Sequence, residues 1–271
     1  MLEEIFGKRL EFKKSLQERK KLFGGWVSFA HPSISEIFAQ AGFDFIAIDM
    51  EHSTISVEQA QRIIAACQGE GTLCLPRPVS HSNDWIKPLL DSGADGLIVQ
   101  MVNTPQEVEN IIQHVKFPPI GSRSYGVNRA HNYGLNFDDY IKKWNESSSV
   151  IIQVESIEAV ENIEKLLEFD EVDGVMIGPY DISGSLGVPG QTSHHLVIDA
   201  TRKVIEACQK FGKSCGTQIE NPTKESVKAI FDLGYTFGIL GSDLFVLSSW
   251  VKKIQELIIF ENQLISKTVF D

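Results

Sequence analysis

The sequence predicts an α/β fold of the (β/α)8 type, a TIM barrel, with an extra N-terminal helix and a long C-terminal helix. Three observations predict it. Eight short apolar or β-branched runs alternate with eight helix-like segments along the chain. The runs are almost continuously apolar, as strands covered on both faces are. Glycine punctuates the approach to several of them, in Ala41-Gly42-Phe43-Asp44, Ser92-Gly93-Ala94-Asp95 and Leu233-Gly234-Tyr235. A glycine there ends a helix in the left-handed conformation and turns the chain into the next strand. The 271 residues suit one barrel. No composition shift or low-complexity linker divides them, so 1–271 reads as a single domain.

Taken in order, residues 1–19 have the pattern of an amphipathic helix placed to close the barrel bottom. Strands are expected at 26–30, 45–49, 72–76, 96–101, 150–155, 174–178, 214–218 and 237–241. Each is a short apolar run bounded by turn formers. Helices are expected at 33–41, 56–69, 83–92, 105–115, 157–168, 196–210, 222–233 and 243–264. Ser56-Val57-Glu58 and Asn221-Pro222-Thr223 supply start signals for two of these. Residues 121–148, from Gly121-Ser122-Arg123-Ser124-Tyr125-Gly126 onward, exceed an ordinary connection, and long loops in compact domains often carry function. With Arg123, Arg129 and His131 this segment could cover the barrel mouth or reach a neighbouring subunit; ordinary packing is the other reading. The last helix is longer than a barrel needs, which points to contacts between subunits.

Composition removes several classes of function. Lys plus Arg number 25 against 36 Asp plus Glu, a net charge of −11. No basic block or stripe appears, so nucleic acid and anionic membranes are not expected partners. No run approaches a membrane span, and the charged start Met1-Leu2-Glu3-Glu4-Ile5 lacks a signal-peptide core. Cys67, Cys74, Cys208 and Cys215 show no CxxC spacing and read as reduced, partly buried thiols of a cytoplasmic protein.

Barrel active sites lie at the C-terminal ends of the strands. Asp49-Met50-Glu51-His52, Pro76-Arg77-Pro78, Gln153-Val154-Glu155-Ser156, Gly178-Pro179-Tyr180-Asp181 and Gly241-Ser242-Asp243 occupy such ends. Glu155 and Asp181 end adjacent strands. With no His or Cys close by in sequence, two carboxylates suit a hard divalent cation, Mg²⁺ or Mn²⁺; helix capping is the alternative. Asp49 lies three residues before His52, as a carboxylate that orients an imidazole base does; a hydrogen-bonded surface histidine is the alternative. Arg77, between two prolines, offers a rigid, always charged fork for a carboxylate or an enolate oxyanion; an ion pair with Asp49 or Glu51 is the alternative. His31 reads better as structural than as pocket-lining, and His194 and His195 as caps of the helix they precede.

Lysine is informative by its absence. A Schiff-base aldolase needs one aimed into the barrel mouth; no expected strand contains Lys, and Lys213 lies at the wrong end of its strand. GxGxxG after the first strand, a Walker loop and a GxSxG elbow at a strand-to-helix turn are also missing, which disfavours nicotinamide, P-loop and serine-hydrolase chemistry.

The strand-end stretches, together with Leu75-Pro76-Arg77-Pro78, Pro118-Pro119-Ile120-Gly121-Ser122-Arg123 and Val172-Asp173-Gly174, resemble in their order the HpcH/HpaI family of metal-dependent, class II pyruvate aldolases. Members include 4-hydroxy-2-oxoheptanedioate aldolase and 2-dehydro-3-deoxyglucarate aldolase. The likeness spans about residues 20–250. It implies that Glu155 and Asp181 hold a divalent metal (Mg²⁺, Mn²⁺ or Co²⁺), completed by the ketone and carboxylate oxygens of a 2-oxo acid. Arg77 would stabilise the enolate oxygen, and His52, oriented by Asp49, would drive proton transfer through water. Gln153 would stand near the metal, and the turn Gly178, Pro179, Tyr180, Asp181 would hold the substrate carboxylate through its amides. The implied reaction is reversible cleavage of a 4-hydroxy-2-oxo acid, a 2-keto-3-deoxy sugar acid or similar dicarboxylate, to pyruvate and an aldehyde. The resemblance also implies a homohexamer that exchanges C-terminal helices. Tyr180 departs from the small Ser or Ala of many members. Two other readings are a citrate-lyase-β-like acyl-CoA lyase and a non-catalytic oxo-acid-binding barrel.

Overall fold

The computed structural model describes residues 2–268. Eight strands, β1 (Leu22–Val27), β2 (Phe45–Asp49), β3 (Leu73–Arg77), β4 (Gly96–Val99), β5 (Ser149–Val154), β6 (Gly174–Ile177), β7 (Ser214–Ile219) and β8 (Phe237–Leu240), form one sheet. Every laddered pair is parallel. The order β3-β2-β1-β8-β7-β6-β5-β4 curls the sheet until β3 and β4 face each other across a seam. That seam is stitched at its base, where the Asp95 N–H donates to the Cys74 carbonyl at 2.9 Å and the Cys74 N–H to Asp95 Oδ2 at 2.7 Å. The result is the expected (β/α)8 barrel.

Around it lie α2 (Pro32–Ala39), α3 (Val57–Gly69), α4 (Asn83–Asp91), α5 (Pro105–Val115), α7 (Ile157–Leu167), α9 (His195–Lys210) and α10 (Lys224–Asp232). The eighth, α11 (Asp243–Thr268), follows β8 and is long; the added helices are α1 (Leu2–Gln17), α6 (Phe137–Ser147) and α8 (Pro179–Ser185). Capping boxes at Ser56 and Thr104 begin α3 and α5. Strand edges differ from the expected ones by a few residues. β1 starts at Leu22, because the glycines Gly24 and Gly25 masked it. They are needed there: a side chain at Gly24 would stand 2.5 Å from the Phe45 ring.

Two cores result. One lies between the sheet and the helices. The other fills the barrel, where Trp26, Phe45, Leu75, Ile98, Ile151 and Phe237 interdigitate, as small barrels fill by alternation. The helix α1 closes the bottom as expected. It places Phe12 and Leu16 in the interior core, with the Phe12 ring 5.5 Å from that of Phe45. Its Arg9 Nε donates to Asp95 Oδ1 at 2.6 Å and its Lys13 Nζ to Asp173 at 2.6 Å.

The glycine punctuation takes its expected form, with Gly42, Gly93 and Gly234 at φ 79°, 99° and 103°. The aspartates beside it have a further use. Asp44 accepts the Phe23 N–H at 2.7 Å, Asp95 that of Cys74, and Asp173 that of Val150 at 2.9 Å. Each closes the open end of a neighbouring strand.

Residues 121–148 require a correction. They hold a 3-10 segment (Arg129–Gly134) and α6, and they join α5 to β5, so they lie at the barrel bottom, away from the mouth. Arg123 is buried, paired with Asp91 at 2.8 Å and stacked 4.7 Å from the Phe117 ring centroid. Arg129 donates to Gln68 and to the Ser92 carbonyl, and His131 is buried. His31 caps α2, accepting from the Ser33 N–H, and His194 caps α9. All four cysteines are free and buried. Among the described residues, no helix is long and apolar enough to cross a membrane.

Candidate active site

Inward-facing residues alternate along each strand, and on three strands the inward stripe changes from apolar to polar at its last step. It reads Phe45, Ala47, Asp49 on β2; Leu73, Leu75, Arg77 on β3; and Ile151, Gln153, then Glu155 just past β5. The apolar members belong to the interior core, and the polar ones crown it. Strand register sets them side by side. Asp49 pairs with Arg77, and the Val154–Ile177 pairing brings Glu155 level with Gly178.

Arg77 is the hub. Only 7% exposed, it donates through Nη2 to Asp49 Oδ1 at 2.8 Å and through Nη1 to Gln153 Oε1 at 3.4 Å. Its Nη1 also lies 3.0 Å from Glu51 Oε2, and the guanidinium sits 4.7 Å from the Trp26 ring centroid. The ion pairs considered from sequence therefore exist, both at once. They hold the fork rigid at the rim of the pocket.

Asp49 does not orient the His52 ring, which corrects the sequence reading. Its Oδ1 accepts the Arg77 fork and the backbone N–H groups of Glu51 and His52, each at 3.1 Å. These four contacts, all on Oδ1, tie it to the turn and to Arg77. The His52 ring is 73% exposed, and its carboxylate neighbour is Glu51, with Nε2 3.7 Å from Oε2. Burial raises the Glu51 carboxyl above its ordinary range, against the pull of Arg77.

Glu155 is buried. Gln153 Nε2 donates to its Oε1 at 2.8 Å, and the Met101 N–H to its Oε2 at 3.1 Å. Burial pushes its pKa up to about 7, and Asp181 adds to the rise. This pair is thus a concentration of negative charge with no cation directly on it: Arg77 reaches Glu155 only through Gln153. A Cβ at Gly178 would stand 2.8 Å from Glu155 Cγ, so the glycine is what lets the turn close over the carboxylate. An all-oxygen donor set, strained by its own charge, fits a hard divalent cation. Asp181 sits in the first turn of α8 and is exposed. Among the described residues no group of three or more His, Cys, Asp or Glu is placed to hold a metal ion; the site offers these two carboxylates.

Two participants were missed from sequence. Met101 takes the left-handed φ of 48°, sparsely populated by non-glycine residues, and so aims its amide at Glu155. Methionine is no turn former and nothing in the local sequence signals this. Trp26 reads from sequence as the first residue of a strand at 26–30, far from the mouth; in the structure it lies one step from the C-terminal end of β1, and the shifted strand bounds hid its place. Tyr180, 67% exposed, stands at the rim.

A TIM barrel whose rim joins a buried carboxylate, an acidic neighbour and a clamped arginine defines a lyase-type site for an oxyanionic substrate. The chain belongs to the HpcH/HpaI aldolase/citrate lyase family, whose model matches residues 22–249. It is 35% identical over 218 residues to 2-keto-3-deoxy-L-rhamnonate aldolase of Salmonella dublin, covering 78% of this chain and 80% of the relative. It is also 35% identical to hydroxypyruvate/pyruvate aldolase of Roseobacter denitrificans, covering 90% and 94%. A solved HpcH/HpaI aldolase/citrate lyase family protein from Burkholderia cenocepacia superposes with a TM-score of 0.85 at 26% identity, covering 91% and 98%.

Proposed function

We propose that this chain is a class II pyruvate aldolase that reversibly cleaves a 4-hydroxy-2-oxo acid to pyruvate and an aldehyde. The observation that carries the reading is the buried Glu155, raised to about 7 beside Asp181 and joined through Gln153 to Arg77. The aldolase names of the 35% identical relatives support it over the acyl-CoA lyase and the non-catalytic barrel.

Glu155 and Asp181 would hold the divalent cation, Mg²⁺ or Mn²⁺ with Co²⁺ as a third choice; when bound it polarises the 2-ketone and lowers the cost of the enolate. The chain's own residues do the rest. Arg77, fixed by Asp49 and Glu51, turns its fork to the oxygen on which negative charge grows as the C3–C4 bond breaks. The amides of Tyr180 and Asp181 receive the substrate carboxylate; the Gly178 N–H is given to the Val154 carbonyl at 3.1 Å, and Pro179 has no N–H and only shapes the turn. Gln153 fixes the outer oxygen of Glu155. His52 takes the proton of the C4 hydroxyl, directly or through water, and returns one to C3 of the enolate. Glu51, 3.7 Å away, is its partner. The free thiols fit a cytoplasmic enzyme, and α11 supports a homo-oligomer, a hexamer by resemblance.

The test is pyruvate release from a panel of 4-hydroxy-2-oxo acids, with EDTA and with Mn²⁺ or Mg²⁺ restored. EDTA should abolish release and the metal restore it, while Glu155→Ala and Asp181→Ala lose both activity and calorimetric Mn²⁺ binding. Borohydride with pyruvate should leave every lysine unlabelled. Metal-independent release, or a reduced adduct found by mass spectrometry, would overturn the reading.

A further inference from the structure

At the barrel bottom, opposite the active-site rim, a cavity of about 370 Å³ opens between α1, the turn before β4 and the 3-10 segment. Two guanidinium groups line it. Arg9, 2% exposed, spends Nε on Asp95 and Nη2 on the Gly93 carbonyl at 3.4 Å, and its guanidinium lies over the Phe6, Tyr140 and Trp144 rings; its buried Nη1 has no hydrogen-bond acceptor among the described residues. Arg129 is half-buried, and it donates through Nη1 alone, to Gln68 Oε1 at 2.9 Å and Ser92 O at 3.0 Å. Asp95, the one carboxylate at hand, is already shared by Arg9, Gln68 and the Cys74 amide. Two positive charges therefore face one negative charge, in a chain whose net charge is −11. A half-buried guanidinium without a carboxylate is costly unless something supplies an oxyanion.

The wall is also under strain. Asn132 and Tyr133 both sit at φ 54°, left-handed in succession, a conformation unfavourable for residues with a Cβ. Both line the cavity, as does the amide of Asn136. Such strain persists where the surrounding structure over-determines it, which is commonly at ligand sites.

We propose that this cavity is a second ligand site, taking a small organic or inorganic anion whose carboxylate or phosphate oxygens pair with the unspent donors of Arg129, beside the positive charge of Arg9. Asn136 adds a neutral donor, and Tyr133 covers the ligand's far side. The site is independent of the aldolase reading, because none of its residues reaches the strand C-terminal ends.

The experiment is calorimetric titration of the full chain with inorganic phosphate and, separately, with succinate. The variants are Arg129→Gln, Asn136→Phe, which places a ring in the cavity, and Glu155→Gln as the active-site control. At least one probe should bind the wild type and Glu155→Gln alike. Arg129→Gln should weaken it about tenfold or more, the scale of one charge-assisted hydrogen bond, and Asn136→Phe should abolish it. Both bottom variants should keep wild-type circular dichroism and pyruvate release. Tighter binding of phosphate or of succinate identifies the oxyanion. Absence of binding by either probe, or binding lost in Glu155→Gln and kept in Arg129→Gln, would overturn the proposal.

Discussion

At the scale of residues, the site turns on which carboxylate serves which neighbour. Asp49 and Glu51 point into the same corner, but Asp49 accepts from the Arg77 fork and two backbone amides, whereas Glu51 is the one beside His52. The two substitutions should therefore separate. Glu51→Gln is expected to shift the pH profile of kcat and leave the fold intact. Asp49→Asn breaks a buried ion pair and should lower unfolding free energy by about 3 kcal/mol, the low end of the usual 3–5 because Arg77 keeps Glu51. His52→Ala should cost about 10²–10⁴ in kcat with little change in pyruvate affinity. Urea titrations and steady-state kinetics on the three variants check this; an unshifted pH profile in Glu51→Gln would return the orienting role to Asp49. Residue types at strand ends made Asp49, Arg77, Glu155 and Asp181 legible from sequence. The pairing among them was not, because it depends on side-chain directions over distances that no spacing encodes.

At the scale of elements, periodicity and caps located nearly everything, and the exceptions have physical reasons. Residues 137–147 carry a helical stripe, Tyr140, Trp144 and Ser147, all buried, yet they lay in a stretch read as a loop because polar and glycine residues precede them. The short α8 begins at Pro179, and a turn of helix that brief has little periodicity to detect. The connection that carries α6 also buries Lys116, whose Nζ meets Asn145 O at 3.0 Å, Ser148 O at 2.9 Å and Ser148 Oγ at 2.7 Å. Burial pushes its pKa from 10.5 down to about 7. A neutral amine satisfies the same three contacts by donating two hydrogens and accepting one from Ser148. With the folded pKa below the unfolded one, the unfolded state binds more protons between pH 7 and 10.5, so this group makes stability rise with pH across that window. The difference in unfolding free energy between wild type and Lys116→Met should climb by up to about 1.4 kcal/mol per pH unit there. Denaturant unfolding at a series of pH values measures it, and a flat difference would mean that Lys116 stays charged.

At the scale of the whole molecule, α11 departs from the barrel and carries exposed Leu247, Trp250, Val251, Ile258, Ile259 and Phe260. We propose that this apolar surface on one helix serves subunit association. Trp250→Glu combined with Phe260→Glu should lower the assembly state in light scattering and leave each subunit's helix content unchanged; an unaltered mass would place the interface elsewhere. The sequence by itself determined the barrel, since eight apolar runs separated by capped helices admit few other ways to bury every strand on both faces. It also determined which polar residues crown the strands, because the alternation of side chains carries each inward stripe to its end. Only the tertiary structure decided that Glu51 stands beside His52, that the Met101 amide serves Glu155, and that the long 121–148 segment runs beneath the barrel, where Arg129 meets Arg9. Glu51 and His52 are neighbours in the chain and only their side-chain directions were undecided; the other relations join residues far apart in sequence. They are set by strand register, barrel curvature and the competition of each carboxylate for nearby donors, none of which is written in local pattern.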